Sequence, residues 1–293
     1  PIHSSAASDV YKRQIENGNP SVVIVDGDLS GLGKQVQAET DLVQQWLEYG
    51  EAGDQSFESL VQAQPPIEPS LTSNCRAEDP FFILYTGGTT GESKGALHSH
   101  ESVWYGMQNQ TVAERIVPSD VYMLTGQMFH IPIVLAMNYH AHGCPLVLMN
   151  FDAELALNLI QEERVSAFLG VTTMLNWMMA VPNFKSFNLD SLRNIQYGGG
   201  PMPSRIIREA LDSFPCSLIQ GYGQTEGTTM TFLTQEDHYL AIRENLHPER
   251  LRSCGREGFV TSVRIVDPAG NLVPQDNKTC LLYTSDAADE WIG

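Results

Sequence analysis

The alternation of apolar and polar positions divides the chain into short strands separated by amphipathic helices. Val22, Val23, Ile24 and Val25 form a β-branched run closed by Asp26-Gly27, the pattern of a buried strand followed by a turn. Thr40-Asp41 precede Leu42, Val43, Trp46 and Leu47, whose spacing predicts a capped amphipathic helix that stops at Gly50. From Gly53 to Pro80 the chain is polar and interrupted by Pro65, Pro66 and Pro69, which predicts a surface connection. Residues 81–85 (FFILY) then read as a buried strand that leads into a Gly/Thr-rich loop ending at Gly95. Further strands are predicted over 121–124, 146–149, 167–169, 192–197, 217–220 and 262–266. Helices are predicted over 134–142, 154–163, 173–180 and 204–214. This alternation implies an α/β fold with mainly parallel sheets flanked by helices. After Tyr222 the pattern loosens, and a smaller β element is expected to begin near Leu251.

Composition narrows the functional classes. The 293 residues are 42% hydrophobic and 18% charged, enough apolar material for a sizeable core. Lys+Arg 17 against Asp+Glu 35 leaves a net charge of −18, which argues against nucleic acid or anionic lipid as partner. Phosphate ligands stay open, because backbone N–H groups hold them without net positive charge. No apolar run has the length of a membrane span. The five cysteines (Cys75, Cys144, Cys216, Cys254, Cys280) stand singly with no CxxC pair, which suits a reducing, cytoplasmic compartment. Neither end has a signal-peptide layout. SSAASDVYKRQ (4–14) and CLLYTSDAADE (280–290) look like translated adapter sequence, so 1–14 and 279–293 are set apart as scars. The rest divides into an α/β core over 15–250 and the start of a β subdomain over 251–278, and a fragment of a longer protein is expected.

Candidate chemistry concentrates in the loop YTGGTTGESKG, which follows an apolar strand. Gly87, Gly88, Gly91 and Gly95 let backbone N–H groups approach a ligand; Thr86, Thr89, Thr90 and Ser93 add hydroxyls, and Lys94 adds one positive charge. In an acidic protein such a cluster of donors suits a nucleotide triphosphate, although its composition alone also suits a surface turn. It is not a Walker A loop, since Lys94 follows Gly91 by three residues and precedes Gly95. Tyr222 lies between Gly221 and Gly223 after an apolar strand, where its ring could stack on a flat base or pack on the core. Glu226 follows Thr225; a carboxylate beside phosphate donors is repulsive unless Mg²⁺ bridges them, or else it is an ordinary helix-start acid. His130 precedes Pro132 at the end of an apolar run and reads equally as a core histidine. His98/His100 and His140/His142 lack a matching Cys or carboxylate for zinc, and i, i+2 histidines on a helix diverge.

The order of these motifs is more specific than any one of them. YTGGTTGESKG resembles the (S/T)(S/G)GTTGxPKG signature of adenylate-forming enzymes, the acyl-CoA synthetase and luciferase superfamily. Met128-Phe129-His130 resembles that family's FH motif, and Tyr197-Gly198-Gly199-Gly200-Pro201-Met202 its GGAPL turn. Gly221-Tyr222-Gly223-Gln224-Thr225-Glu226 is similar to GYGxTE, and Cys254-Gly255-Arg256 to Asp267 resembles the stretch before the ribose-binding segment. Ser93 stands where the family has Pro, Gly199-Gly200 where it has Gly-Ala or Ala-Ala, and Gly258-Phe259 blurs the PG element. The resemblance implies ATP-dependent activation of a carboxylic acid to an acyl-adenylate and then a coenzyme A thioester, with Mg²⁺. By the same resemblance Thr86, Gly87, Gly88, Thr89, Thr90, Gly91 and Lys94 hold the leaving phosphates. Gly198, Gly199, Gly200, Gly221, Tyr222 and Gly223 seat adenine. Thr225 stands near the α-phosphate, Glu226 on the metal, and His130 between nucleotide and acid. Lys94, Thr225, Glu226 and His130 are the expected catalytic set. If the segment after His130 is helical, Pro132, Ala136 and His140 share a face, and small Ala136 opposite Gly198 leaves room for a medium or long fatty acid. Alternatives within the superfamily are amino-acid adenylation and luciferase-like oxidation; outside it, a non-catalytic adenine-nucleotide-binding fragment. The family's later TGD aspartate and distal lysine have no counterpart here, so the fragment itself is expected to be inactive.

Overall fold

A computed structural model of the chain describes residues 4–50, 56–67, 74–86, 94–267 and 269–273. The chain divides into two compact units, one reaching to Leu97 and the other starting at His98. In the first unit, helix α1 (Ser4–Gly18) precedes strand β1 (Val22–Asp26), helix α2 (Ser30–Gln37) and strand β2 (Gln45–Tyr49). β1 and β2 pair in parallel, with Ile24 opposite Leu47. Gly33 of α2 permits close packing, since a Cβ there would stand 3.0 Å from Val25 Cγ1.

Two expectations fail in this unit. The helix predicted to end at Gly50 is instead strand β2, because the β1 edge offers backbone partners to Trp46, Leu47 and Tyr49, all residues that suit a strand. The stretch read as pure surface connection contains helix α3 (Phe57–Gln62), whose first turn is capped by Ser59 N–H donating to Ser56 Oγ at 3.1 Å. Strands β3 (Pro80–Tyr85) and β4 (Gly95–Ser99) then form a two-stranded sheet. Of the segment set apart at the N-terminus, residues 4–14 lie in α1, where the Gln14 carbonyl accepts from Tyr85 Oη at 3.0 Å.

The second unit opens with helix α4 (His100–Glu114) and continues β5 (Tyr122–Leu124), α5 (Ile131–Ala141), β6 (Leu146–Leu148), α6 (Ala153–Glu162) and β7 (Ala167–Leu169). Helix α7 (Thr172–Met179), β8 (Asn194–Gly198), α8 (Ser204–Ser213), β9 (Ser217–Gln224), β10 (Thr228–Leu233), α9 (Gln235–Ile242) and β11 (Arg256–Glu257) follow. Its described strands form one seven-stranded sheet in the order β11-β10-β9-β8-β7-β5-β6. The run from β9 to β6 is parallel, while β10 and β11 add antiparallel at the other edge.

Alternation along each strand sorts side chains between two faces. Met123, Phe168, Ile195, Tyr197 and Leu218 belong to the main core with Leu157 and Ile160 of α6, Leu175 of α7 and Ile206 of α8. Tyr122, Leu124, Ala167 and Leu169 belong to a second core with Leu135, Ala136 and Tyr139 of α5. The α/β class and mainly parallel sheet agree with the pattern of apolar runs. The loosened region after Tyr222 is more regular than predicted, because β9 continues to Gln224 and turns back as β10. No strand forms over 262–266 among the described residues; Val266 makes only an isolated bridge with Leu272. Helix α4 escaped the sequence pattern because what it buries is mostly polar: Asn109, Gln110 and Glu114 alongside Val103.

Candidate nucleotide site at the carboxyl edge of the sheet

The strand order reverses at β5, which has β6 on one side and β7 on the other. In open α/β sheets the crevice outside the carboxyl ends of the strands at such a reversal is the default ligand site. At this edge the residues are small. The Thr125 hydroxyl donates to the Leu169 carbonyl and ties β5 to β7. A Cβ on Gly126 would run into the Pro132 ring, and one on Gly170 would stand 2.7 Å from Leu175 Cδ2.

The next pair of strands carries the two glycine motifs. Gly198 closes β8 directly opposite Gly221 of β9, and a Cβ on Gly198 would run into the Gly221 carbonyl oxygen. Gly199 adopts φ 76°, a left-handed conformation that suits glycine. Replacing Gly198 by Ala should therefore force the two strands apart, costing about 1–3 kcal/mol in urea unfolding. A variant with unchanged unfolding midpoint would show that the strand pair has slack.

Beyond Gly221, half-buried Tyr222 remains in β9 opposite Thr231, and Gln224 Nε2 lies 3.4 Å from its hydroxyl. The turn Thr225-Glu226-Gly227 is closed by Gly227 N–H donating to the Gln224 carbonyl at 3.1 Å. Thr228 completes it at φ 53°. His98, itself buried, lies with Nε2 2.7 Å from the Thr225 carbonyl, so that nitrogen carries the hydrogen and pins the turn. The Glu226 carboxylate projects into solvent. The structure thus brings Gly198, Gly199, Gly200, Gly221, Tyr222, Gly223, Thr225 and Glu226 to one edge of the β8–β9 pair.

His130 follows β5, two strands from β8 in the sheet, half-buried at the N-cap of α5, with its carbonyl accepting from Ile133 N–H at 3.1 Å. Pro132 fills the first turn of that helix, where its missing N–H costs nothing. Pro132 and Ala136 are buried and His140 is exposed. Ala136 has no exposed surface and lies in the second core cluster, so its small side chain serves the contact between α5 and the sheet.

In the first unit, Thr86 N–H donates to the Lys94 carbonyl at 2.9 Å, and Thr86 Oγ1 lies 3.3 Å from the same oxygen. These bonds close the neck of the glycine loop and leave Lys94 exposed. Gly87, Gly88, Thr89, Thr90 and Gly91 lie outside the described residues.

Electrostatics at the opposite, amino edge are structural. Arg193 grips Asp120 through Nη2 at 2.7 Å and Nε at 3.0 Å. Burial alone would raise the Asp120 carboxyl, but the Arg193 hydrogen bonds help to bring it below the usual range. On α9, His238 Nδ1 donates to the Thr234 carbonyl at 2.7 Å and Nε2 accepts from Tyr197 Oη at 2.8 Å. Burial lowers the His238 pKa, keeping the ring neutral as that bonding pattern requires. Arg256, in the last quoted motif, pairs with Asp237 at 3.1 Å beside Arg250 at 2.9 Å.

The AMP-binding enzyme family model matches residues 1–286. The chain belongs to that family. The chain is 30% identical over 271 residues to the long-chain-fatty-acid–CoA ligase FadD13 of Mycobacterium tuberculosis, covering 90% of this chain and 49% of that one. It is 28% identical over 204 residues to a feruloyl-CoA synthase of Amycolatopsis sp, covering 69% and 40%. Among solved structures, the N-terminal domain of FACL13 from Mycobacterium tuberculosis superposes with a TM-score of 0.77 at 29% identity, over 93% of this chain and 66% of that one. The chain spans about half the length of the curated relatives it matches. Two contributors to the site carried no motif signal: His98, 127 residues from the carbonyl it holds, and Thr228, which completes the turn.

Proposed function

We propose that this AMP-binding enzyme binds ATP at the carboxyl edge of β8 and β9 and belongs to an acid–thiol ligase that makes acyl-CoA. The observation that carries it is the convergence of Gly198–Gly200, Tyr222 and the Thr225-Glu226 turn at one strand pair in a chain of this family. Gly198 and Gly221 let β8 and β9 approach closely, and the half-buried ring of Tyr222 at the end of this pair is the group that stacks on adenine. The carboxylate oxygen of the acid attacks the α-phosphorus of ATP; that P–O bond forms as the bridge to the β-phosphate breaks and pyrophosphate leaves. The thiol sulfur of coenzyme A then attacks the acyl carbon, releasing AMP and its own proton. In this scheme Thr86 and Lys94 hold pyrophosphate with the loop 87–93, Thr225 donates to the α-phosphate, and His130 stands between nucleotide and acid.

Glu226 is an isolated exposed carboxylate, and no group of three His, Cys, Asp or Glu converges among the described residues. That donor set fits Mg²⁺ only when nucleotide phosphates complete the coordination, which is how Mg²⁺ is commonly held. Bound there, the ion would neutralise phosphate charge as pyrophosphate departs. The acid we propose is of medium or long chain. Ile131, Ile133 and Met137 add half-buried apolar surface along α5, and relatives include the medium/long-chain-fatty-acid–CoA ligase FadD8 of Mycobacterium tuberculosis at 28% identity. No described helix is long and apolar enough to cross a membrane; the free thiols of Cys75, Cys144, Cys216 and Cys254 suit the cytoplasm.

Calorimetric titration of the chain with AMP and with ATP, with and without Mg²⁺, tests this function. Tyr222→Ala should weaken AMP about tenfold, the scale of one lost base–aromatic stack. Glu226→Gln should leave AMP unchanged while removing most of the Mg²⁺ enhancement of ATP binding. A folded chain that binds neither nucleotide would sink the proposal.

A further inference from the structure

The turn that carries Thr225 and Glu226 is held in a shape its own residues do not favour. Gln224 of β9 pairs with Thr228 of β10, so residues 225–227 form a three-residue hairpin loop. The usual form of such a loop includes one left-handed residue, and glycine commonly supplies it. Here Gly227 is at hand, yet the left-handed residue is Thr228, at φ 53°. A β-branched side chain in that conformation is an outlier that persists only where the surroundings impose it, and such outliers gather at ligand clamps.

Two contacts impose it, one from α4 and one from the residue before its N-cap. Helix α4 passes so close to buried Thr228 that a Cβ on Gly106 would stand 2.6 Å from Thr228 Oγ1. His98 directly precedes Ser99, the N-cap of α4. Ser102 N–H donates to Ser99 Oγ at 3.2 Å, and Ser99 N–H donates to Ser102 Oγ at 3.1 Å. That reciprocal cap fixes the backbone from which the imidazole projects. The ring is 2% exposed, and its Nε2 meets the Thr225 carbonyl at 2.7 Å. The carbonyl therefore points inward, while Glu226, the next residue, is exposed.

We propose that His98 is a positioning residue for the nucleotide phosphates: its Nε2–H bond to the Thr225 carbonyl holds the loop in the form that presents Thr225 and Glu226 together. This rests on the ATP site proposed above and names what keeps that site in shape. Gly227 N–H, bonded to the Gln224 carbonyl at 3.1 Å, closes the loop from within but does not set the direction of the Thr225 carbonyl. Without His98 the strained hairpin relaxes, and Thr225 and Glu226 leave the places where phosphate and Mg²⁺ require them. Adenine, seated by Gly198–Gly200 and Tyr222, does not depend on the loop. The loss is therefore confined to phosphate and metal.

The test is a series of titrations with adenosine, AMP, ATP and ATP with Mg²⁺, made on the intact chain and three variants. His98→Leu removes the donor with little change in bulk. His98→Gln carries its amide N–H as many bonds from Cβ as Nε2, whereas in His98→Asn the amide is one bond short. His98→Leu and His98→Asn should bind adenosine as the wild-type chain does, AMP about tenfold more weakly, and ATP with Mg²⁺ more weakly still. His98→Gln should restore all four affinities. Equal weakening toward every ligand, adenosine included, would mean that His98 serves only the fold and overturns this inference. Wild-type affinities in His98→Leu, or a His98→Gln chain as weak as His98→Asn, overturn it too. A folded wild-type chain that binds neither AMP nor ATP overturns the proposed function as well. If the variants fail to fold, ¹⁵N-histidine NMR of the wild-type chain decides. The His98 Nε2–H should exchange slowly with water and shift on addition of ATP with Mg²⁺ but not of adenosine. A ring N–H that does not respond to ATP overturns the inference.

Discussion

Replacing Lys94 by Ala is expected to weaken ATP binding by about 1.5–3 kcal/mol, the range for a hydrogen bond to a charged group, while leaving AMP affinity unchanged. The asymmetry is the informative part. Lys94 stands at the neck of the glycine loop, where the Thr86 N–H bond to its carbonyl fixes the backbone and leaves the ammonium exposed. A point charge that meets only the β- and γ-phosphates has nothing to contribute to AMP. Lys94→Arg should recover part of the loss, since it keeps the charge but changes its reach. Competition titrations with ATP, AMP and pyrophosphate read the difference directly. Equal weakening of ATP and AMP would mean that Lys94 supports the loop's fold and has no role as a phosphate ligand.

Glu114→Gln is expected to remove a fall in stability that the wild-type chain shows between about pH 4.5 and pH 7. Burial raises the Glu114 carboxyl from 4.5 to about 7 even though Tyr139 Oη donates to Oε2 at 2.7 Å. The native state therefore keeps a proton that the unfolded chain releases in this interval. Stability from this group is present in full below the unfolded value and is lost as pH rises through the folded one. The loss amounts to about 3 kcal/mol. Asp120 and Asp237, both held below their ordinary values, act with the opposite sign and at lower pH. The amide introduced by the substitution can still accept from Tyr139, so the variant should be the more stable protein at pH 8 and nearly equal at pH 4.5. Urea unfolding at both values measures it. A wild-type curve that is flat across the interval would place Glu114 in contact with water or a cation that keeps it ionised.

Much of the second unit was legible because its elements bury apolar side chains on a regular period. The β7 triplet Ala-Phe-Leu falls at 167–169, where its apolar run predicts a strand, and α6 and α8 follow their amphipathic stripes to within a residue of the predicted ends. The motifs were legible for a different reason. Glycines at 198, 199 and 221 answer local backbone demands, a close strand contact or a left-handed turn, and such demands leave a mark on the sequence itself. Helix α4 and strand β2 failed for one shared reason: their partners are distant in the chain. Gln110 and Glu114 are buried against groups on α5, and Trp46 is extended because β1 lies beside it. A window of neighbouring residues contains neither fact.

The same division holds for the site. The chain's own order of residues determined its family, its α/β class and the identity of Tyr222, Thr225 and Glu226 as neighbours on one turn. Only the folded structure decided that His98 pins that turn and that Ala136 serves the core between α5 and the sheet. Motif glycines record what the backbone demands at their own positions, a left-handed turn at Gly199 or a close strand approach at Gly198, and so mark the sequence directly. Burial, pairing and the satisfaction of polar groups depend on which strands and helices meet, and that is settled by packing across the whole sheet.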